Sequence, residues 1–512
     1  MYVRQKKNIS GIISVQIIDK STGKYKVIKT IGSSADDKIV EQFYSQAKQE
    51  IAALQNQPIF NFEIENEKLF VDTFFNGINE FKLLGPEILL GKLFDQIGFN
   101  AIQDELFRDL VITRLVYPVS KLKTVDYLFK YRGIHVPINK VYRYLDKLQK
   151  DQISKIQDIS YHYAINVLQA DISIVFYDVT TLYFEAQDED DLRKTGFSKD
   201  GKHQNIQIVL GLVVNNTGYP LAYEIFEGNK FEGHTMLPVI EVFKKKYNLQ
   251  QLIIVADAGL MSNKNIKGLC EKEYKFIIGA RIKNESEAIK KQILLLKLKD
   301  GDSAILQSAE SQRIIISYSV QRAKRDAYNR KIGVEKLEKN LKTGKLTKKN
   351  ITNKGYNKYL TVGGNIAISI DYKKYNDDAK WDGLKGYLTN TNFSKEEVIT
   401  HYKKLWNIEK TFRISKTDLK IRPIFHHLKR RIESHICIAF AACVLYKELE
   451  RQLVVLKSEL SPEKAIDIAK TIYSITMTTP FSDTKYTRLL IKNEEQAQIL
   501  NLFKINFGCP SV

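Results

Sequence analysis

The sequence predicts an α/β protein with several domains, and three observations carry this prediction. Apolar residues recur at i, i+3 and i+4 from about residue 86 to residue 169, which is typical of helices. From Asp171 the spacing changes to two, and strands then alternate with helices. Residues 281–360 carry 20 Lys and Arg against 8 Asp and Glu, a net charge of +12 in 80 residues. A helical region therefore precedes an α/β core that a basic segment interrupts.

The chain opens with a predicted β-hairpin at residues 11–32, with Gly23 in its turn, and a helix follows from about Asp36 to Leu54. No residue here suggests chemistry. This N-terminal region is interpreted either as a structural scaffold or as a small module that contacts DNA or mediates dimerisation.

The helical region consists of short basic helices with tight joints, a pattern that suits a helix-turn-helix-like DNA-binding unit. Ser120 follows Pro118 and is a predicted N-cap. The helix INKVYRYLDKL is the recognition candidate, with Lys140 and Arg143 facing outward. The alternative is a helical bundle that never touches DNA.

The α/β core is predicted to follow the order strand, strand, strand, helix, strand, helix, strand. The segments that give this order are ISIVFYDVTTLYFE, NIQIVLGLVVN, YPLAYEIFEG, HTMLPVIEVFKKKYN, QLIIVADAG, SNKNIKGLCEKE and KFIIGARI. Asp178 stands in the middle of the first strand, and Asp257 ends the fourth. Ser262 is the predicted N-cap of the second helix.

The basic segment is predicted to contain strands at SAILQS and RIIISYSV and a basic helix that begins at RAKRDAYN. More strands follow, up to GLKGYLTN. A helix then spans Ile399–Lys416, and a largely apolar helix spans Arg431–Arg451. The tail to Val512 has no predicted function.

The formal charge of +20 favours a polyanionic partner. Nucleic acid is the first candidate for this partner, and an anionic membrane surface is the second. The alternative is that the proteins of the source organism are generally basic, which would explain the charge without a partner. The longest apolar run, Ile436–Tyr446, is too short for a membrane span, and the N-terminus has no apolar signal segment. A cytoplasmic protein is expected. The sequence has no P-loop, GxGxxG, GxSxG or HExxH motif.

The segment Ile399–Lys416 is predicted to form one amphipathic helix. Tyr402, Glu409 and Lys416 are spaced by seven residues, so they share one stripe of such a helix. Glu409 is then either a surface salt-bridge partner or a metal ligand that faces a cleft. Trp406 either stacks on a nucleic-acid base or packs in the core.

Asp178, Asp257 and Glu409 together suggest a metal site. A carboxylate inside an apolar strand, such as Asp178, is costly unless a cation or hydrogen bonds offset its burial. Carboxylates without His or Cys at ligand spacing suit Mg²⁺ or Mn²⁺. Two such ions about 3.5–4 Å apart activate a water and stabilise the leaving oxygen of a phosphodiester.

These features resemble the RNase H-like catalytic core of DDE transposases, with the β-rich insertion of one large insertion-sequence group. Bacterial members of that group carry a Tyr-Arg-Glu-Lys signature, on which Tyr402, Glu409 and Lys416 fall. Leu405 stands where the Arg is expected. The stretches YDVTTLYFE, GYPLAYEIFEGN, ADAGLMS and QRAKRD are also similar to that group.

The resemblance implies a bacterial, nucleoid-associated transposase that cleaves the terminal inverted repeats of its own element and joins the ends to target DNA. Asp178, Asp257 and Glu409 would hold two Mg²⁺ (or Mn²⁺) ions, and the chain would act as a homodimer on paired ends. The resemblance also implies a set of DNA-contacting residues, in which Lys404 or Arg413 replaces the missing Arg. These residues are Tyr402, Lys404, Trp406, Arg413 and Lys416.

Six consecutive segments follow from the composition and the resemblance, two of which form one core. They are an N-terminal module (1–75), a helical, DNA-binding domain (76–168), an RNase H-like core in two parts (169–283 and 381–456), a basic insertion domain (284–380) and a C-terminal tail (457–512). Two alternatives remain open: an RNase H-like nuclease without strand transfer, and a non-catalytic DNA-binding derivative of a transposase.

Overall fold

The structure is a computed structural model, and it confirms the mixed α/β class. It describes residues 1–21, 23–54, 62–186, 188–198, 201, 204–260, 262–309, 312–352, 355–362, 368–478 and 484–505. The chain forms two compact units. The first comprises 1–81 with 475–488, and the second comprises 82–474 with the described part of 489–508. The division predicted at residues 75, 168, 283, 380 and 456 stays a prediction.

The first unit contains two small antiparallel arrangements. Its first sheet has the order β1-β2-β3, and Gly23 lies in the β2–β3 turn with a φ of +80°. The predicted hairpin and the helix after it are therefore confirmed. The elements are β1 (Tyr2–Lys7), β2 (Ile13–Asp19), β3 (Lys26–Ser34), α1 (Asp37–Leu54), α2 (Phe62–Asn76) and a second sheet of β4 (Ile78–Leu83), β16 (Tyr473–Thr478) and β17 (Lys485–Leu490).

The second unit begins with the predicted helical region. Its helices are α3 (Gly85–Ile97), α4 (Glu105–Val116), α5 (Lys121–Arg132), α6 (Ile138–Asp151) and α7 (Ile153–Asn166). Ser120 caps α5 by accepting from the backbone N–H of Lys123, as predicted. Lys140 and Arg143 are exposed on α6, which agrees with the predicted orientation. The 27-residue helix α15 (Lys429–Val455) packs against α3, α4, α6 and α7 and fills the centre of this region.

A nine-stranded mixed sheet forms the core of the second unit. Its path is β11-β12-β15-β10-β9-β5-β7-β6, and β8 pairs with β7. Strands β5, β7 and β8 are antiparallel, whereas β9 and β10 run parallel to β5. The strands are β5 (Ile174–Tyr183), β6 (Lys194–Thr195), β7 (Ile206–Val214), β8 (Pro220–Glu227), β9 (Ile253–Ala256), β10 (Lys275–Ala280), β11 (Ser303–Ala309), β12 (Gln312–Tyr318) and β15 (Leu384–Thr389).

The order predicted for the core is confirmed, because α8 (Met236–Lys246) precedes β9 and α9 (Asn263–Glu271) precedes β10. Ser262 caps α9 by accepting from the backbone N–H of Asn265. The basic helix is α11 (Val320–Lys342). The remaining elements are α10 (Glu287–Leu295), β13 (Leu360–Val362), β14 (Ile368–Ile370), α12 (Tyr372–Ala379), α13 (Lys395–Lys403), α14 (Trp406–Thr417), α16 (Pro462–Ala469) and α17 (Glu494–Leu502).

The prediction of one helix over Ile399–Lys416 is wrong, because a tight turn at Lys404 and Leu405 separates α13 from α14. The backbone N–H groups of both residues bond three residues back, at 3.0 and 3.1 Å, so the α-helical ladder is interrupted. The segment contains no Pro or Gly. The break comes from tertiary contacts of the two helices, which the sequence pattern does not report.

No helix in the described part of the chain combines the length and the apolar character that crossing a bilayer requires.

Candidate active site

Asp178 and Asp257 are brought together by the pairing of two parallel strands. In the register of β5 with β9, Tyr177 pairs with Ala256, so the two aspartates occupy the next position on each strand. Neighbouring strands lie about 4.8 Å apart. Asp178 is half-buried, and its Oδ1 accepts from the backbone N–H of Val179 at 2.8 Å, whereas Asp257 is exposed at the strand end. Two of the three predicted catalytic carboxylates are therefore adjacent.

Tyr402 lies inside the protein and contacts one of these carboxylates. Its hydroxyl donates to Asp257 Oδ1 at 3.0 Å, and the side chain is 5 % exposed. Gly279 on β10 makes this contact possible, because a methyl group there would overlap the Tyr402 hydroxyl and stand 3.0 Å from the Ala258 nitrogen. Burial raises the pKa of Tyr402, and the negative charge of Asp257 raises it further. Tyr402 is thus a neutral hydrogen-bond donor to the site.

Glu409 is held near the sheet by the anchoring of α14, which packs against β5. The Asn407 amide donates to the Asn216 carbonyl at 2.8 Å, and the Thr411 hydroxyl donates to the Gly218 carbonyl at 2.8 Å. Both acceptors lie in the β7–β8 turn. Glu409 is exposed in the first turn of α14, and its charge also raises the pKa of Tyr402. The third predicted carboxylate is therefore on the Tyr402 side of the site.

The outer face of α14 carries most of the predicted DNA contacts. Trp406, Glu409, Arg413 and Lys416 follow helical spacing along one face. The first three are exposed and Lys416 is half-buried, whereas Ile408 and Phe412 on the opposite face are buried. Trp406 is 56 % exposed, so it is not a core residue.

The predicted stripe is only partly correct. Glu409 and Lys416 share a face of α14, but Tyr402 belongs to α13 and turns inward to Asp257. Lys404 is half-buried in the turn between the helices. The interruption at residues 404 and 405 changes the angular relation between the two helices, which explains the difference.

Lys385 on β15 is a site residue that the sequence did not reveal. Its ammonium lies 4.4 Å from the centroid of the Tyr402 ring. Burial lowers its pKa, and Arg322 on α11 lowers it further. The carboxylates of Asp257 and Glu409 act in the opposite direction. Lys385 is therefore a cation within electrostatic range of both acids.

Leu405, which stands in the place of the signature Arg, is 6 % exposed and packs in the core. This position therefore supplies no positive charge to the site. Cations reach the site from other elements instead. Lys385 comes from β15, and Arg322 comes from the QRAKRD run at the start of α11. The QRAKRD run therefore pointed to Arg322 in the sequence, whereas only the pairing of β15 in the sheet brings Lys385 to the site.

Glu232 is a second residue that sequence reasoning missed. It lies in a 3₁₀ turn after β8, three residues beyond the GYPLAYEIFEGN stretch. Its Oε2 and the Oδ2 of Asp257 are each 3.8 Å from the place where a Cβ on Gly259 would stand. The two oxygens are thus at most twice 3.8 Å apart, and both border the space beside Gly259.

A basic cavity adjoins the carboxylates. Its volume is 720 Å³, and Asp257, Tyr402 and Lys385 form part of its wall. Arg281 and Arg322 contribute further positive charge, and Arg281 donates to the Gly259 carbonyl at 3.4 Å. Three further acids of the wall each form an ion pair with a Lys or Arg: Asp326, Asp378 and Asp382.

The donor set fits a hard divalent cation. Asp178 and Asp257 offer only oxygen, and Mg²⁺ commonly takes one or two carboxylates and completes its shell with waters and substrate phosphates. Across the described ranges, no three His, Cys, Asp or Glu side chains are grouped closely enough to hold one ion by themselves. The adjacent aspartates are therefore the residues that would hold the metal, with Glu409 or Glu232 as the further oxygen donor.

Comparison with known proteins assigns the family. The family model of the transposase DDE domain matches residues 169–445, just over half of the chain. No curated protein matches. Among solved structures, the chain is similar to piggyBac transposase in a synaptic complex with hairpin DNA, at 10% identity and a TM-score of 0.39, over 71% of this chain and 69% of that one. It is also similar to Mos1 mariner transposase in a paired-end complex with Mn, at 11% identity and a TM-score of 0.14, over 31% and 54%.

The two structural likenesses have TM-scores below 0.5 and carry no argument about the site. The family model, by contrast, covers the strands that bear Asp178 and Asp257 and the helix that bears Glu409. The chain belongs to the family of transposases with a DDE domain.

Proposed function

We propose that this transposase cleaves DNA at the ends of its own insertion sequence and joins those ends to target DNA, with Asp178, Asp257 and Glu409 as its catalytic carboxylates. The single observation that carries the proposal is the adjacency of Asp178 and Asp257 on paired parallel strands. Glu409 supports it, because its charge and that of Asp257 act on the same two side chains, Tyr402 and Lys385.

Two Mg²⁺ or Mn²⁺ ions, when bound, would supply the activation of the attacking oxygen and the stabilisation of the leaving oxygen. The chain's own residues have other tasks. The bond from the Val179 N–H fixes the carboxylate of Asp178, which would hold an ion. Tyr402 holds Asp257 by a hydrogen bond, so its role is proposed to be the positioning of a ligand.

The DNA partner is proposed to lie across α14 and the basic cavity. Exposed Trp406 offers a stacking surface, and Arg413 and Lys416 offer charge to phosphates along the same helix face. Lys404 lies at the start of that face. Lys385 and Arg322 neutralise phosphates close to the carboxylates, which is the task expected of the signature Arg.

The partners follow from the same proposal. The terminal inverted repeats and the target DNA are the two substrates, and a homodimer on paired ends would bring both ends to one target. We propose that the chain acts in the bacterial cytoplasm and associates with the nucleoid, because its substrate is DNA and its signature resembles that of a bacterial insertion-sequence group.

The second candidate is a nuclease that hydrolyses DNA without joining it. The basic cavity beside the carboxylates favours the transposase, because joining requires room for a target strand next to the cleaved end. A DNA-binding derivative without catalysis is disfavoured, because Asp178 and Asp257 remain paired in register.

A joining assay tests the proposal. The full chain is incubated with Mg²⁺, a labelled duplex that carries the DNA found at the ends of its element, and a supercoiled plasmid. The transposase predicts labelled plasmid products, and omission of Mg²⁺ is the control. Cleavage of the labelled duplex without any labelled plasmid would establish the nuclease instead, and end binding without cleavage would establish the non-catalytic derivative.

A further inference from the structure

A second cavity lies away from the carboxylates, between the helical region and the segment that follows α14. Its volume is 230 Å³. Its wall includes Arg114 near the end of α4, Lys121 at the start of α5, and the imidazoles of His426 and His435. Since a water occupies about 30 Å³ in the liquid, a space of this size accommodates a small tetrahedral anion with several waters.

Two basic residues of the cavity wall are buried. Arg114 and Lys121 are each 5 % exposed. Burial lowers the pKa of the Arg114 guanidinium to about 10. Burial lowers the pKa of the Lys121 ammonium well below its usual value, and the charge of Arg114 lowers it further. Burial thus disfavours the charged form of both groups, and the charge of Arg114 disfavours that of Lys121 as well.

These cations lack a carboxylate partner. Within the described ranges, neither head group takes part in a hydrogen bond or an ion pair, although buried charges in proteins are usually paired. Asp146 on α6 accepts instead from Arg430 and Arg431, at 2.8 and 3.0 Å. The cavity thus encloses two basic groups that no acidic side chain of the described ranges pairs with.

Two further features of the wall favour an anion. The N-terminus of the 12-residue helix α5 borders the cavity, and a helix N-terminus carries a partial positive charge. The ring of His435 contacts the Ile421 carbonyl through Nε2 at 3.0 Å, while its buried Nδ1 has no hydrogen-bond partner in the described chain. A bound anion would favour the protonated ring, which makes Nδ1 a donor.

We propose that this cavity binds a phosphate group, with Arg114 and Lys121 as its charged ligands. A phosphate supplies the negative charge and the several acceptor oxygens that two buried cations and a helix N-terminus need. The phosphate comes either from a DNA backbone or from free inorganic phosphate. The inference goes beyond the proposed catalytic function and uses none of its carboxylates, so either can fail without the other.

The test compares Lys121→Met with Lys123→Met, an exposed lysine on the same helix. Thermal unfolding of the full chain is measured in sodium phosphate and in sodium chloride of equal ionic strength. Free phosphate as the ligand predicts a midpoint about 2–4 °C higher in phosphate for the unmodified chain and for Lys123→Met, and no such gain for Lys121→Met. Arg114→Met serves as a second variant if Lys121→Met does not fold.

The DNA arm measures the affinity for a duplex of arbitrary sequence as a function of salt. A backbone phosphate in the cavity predicts that Lys121→Met, but not Lys123→Met, binds several-fold more weakly, with a salt slope lower by about one. Chemical acylation of lysines in the unmodified chain, measured by mass spectrometry, tests both sources of phosphate without a variant. Phosphate or duplex must then slow modification of Lys121 more than that of Lys123. The proposal is overturned if phosphate and duplex affect Lys121 and Lys123, or their variants, equally.

Discussion

The hydroxyl of Tyr402 donates to Oδ1 of Asp257 at 3.0 Å, across 145 residues of sequence. Tyr402 is 5 % exposed, so this bond forms in a place from which water is largely excluded. It ties α13 to the end of β9 and fixes one rotamer of a carboxylate that is otherwise exposed. The residue expected to contact DNA therefore orients a carboxylate that we propose as a metal ligand.

Tyr402→Phe removes only this hydroxyl. We expect stability to fall by about 1 kcal/mol, since one hydrogen bond is lost, and cleavage by about tenfold with an increased requirement for Mg²⁺. Tyr387→Phe is the matched control, because its ring packs 4.9 Å from that of Tyr402 and its hydroxyl lies 3.3 Å from Ser317. Cleavage rates over a Mg²⁺ titration give the answer. An unchanged Mg²⁺ requirement in Tyr402→Phe would show that Asp257 needs no such support.

Gly279→Ala places a methyl group where the Tyr402 hydroxyl stands. We expect cleavage to fall at least as far as in Tyr402→Phe, together with a loss of stability. Because the overlap is with the hydroxyl, Tyr402→Phe should restore part of that stability in the Gly279→Ala background. Denaturant unfolding of the two single variants and the double variant measures this coupling. Strictly additive losses would contradict the close approach of β10 to Tyr402.

Glu232 is expected to contribute to metal binding. Its Oε2 and the Oδ2 of Asp257 lie no more than twice 3.8 Å apart, so the two oxygens can bind the same ion or two neighbouring ions. We predict that Glu232→Gln weakens Mn²⁺ binding by about tenfold or more, as measured by electron paramagnetic resonance without DNA. Glu227→Gln, an exposed acid at the end of β8, is the control. Equal Mn²⁺ affinity in both variants would exclude Glu232 from the site.

The buried carboxyl of Asp109 is expected to make the stability of the protein depend on pH. Burial raises its pKa to about 6, so the folded chain binds more protons than the unfolded chain between about pH 4 and 6. The free energy of unfolding should therefore decrease as the pH rises through this window. Asp109→Asn should remove the decrease and stabilise the protein by on the order of 2–3 kcal/mol above pH 6.

Denaturant unfolding across that pH range checks this expectation, with Asp126→Asn as an exposed control on α5. If Asp109→Asn and the unmodified chain showed the same pH slope, the buried placement of Asp109 on α4 would be wrong.

The sequence predicted the core strands well because their patterns are local. Asp178 interrupts an apolar strand and Asp257 ends one, so both stood out without knowledge of the pairing. The relation of Glu409 to Tyr402 was not predictable in the same way. It depends on the turn at Lys404 and Leu405, which tertiary contacts impose on a segment with strong helical periodicity.

Residues that long-range pairing places were missed altogether. Lys385 reaches the carboxylates because β15 pairs with β10, and Glu232 does so because its turn packs beside Gly259. The buried cations were missed for another reason. Arg114 and Lys121 lie in helices whose apolar periodicity is clear, and the pattern does not tell which charged residues the fold encloses.

The assignment of Asp178, Asp257 and Glu409 as catalytic carboxylates is the central claim. Its most direct test is the Mg²⁺-dependent cleavage rate of an end-bearing duplex by Asp178→Asn, Asp257→Asn and Glu409→Gln, with duplex affinity measured in parallel. We predict that each variant loses roughly 10³-fold or more in rate, which corresponds to about 4 kcal/mol of transition-state stabilisation, and keeps its affinity within a few-fold. Cleavage by any of the three at the rate of the unmodified chain would contradict the assignment.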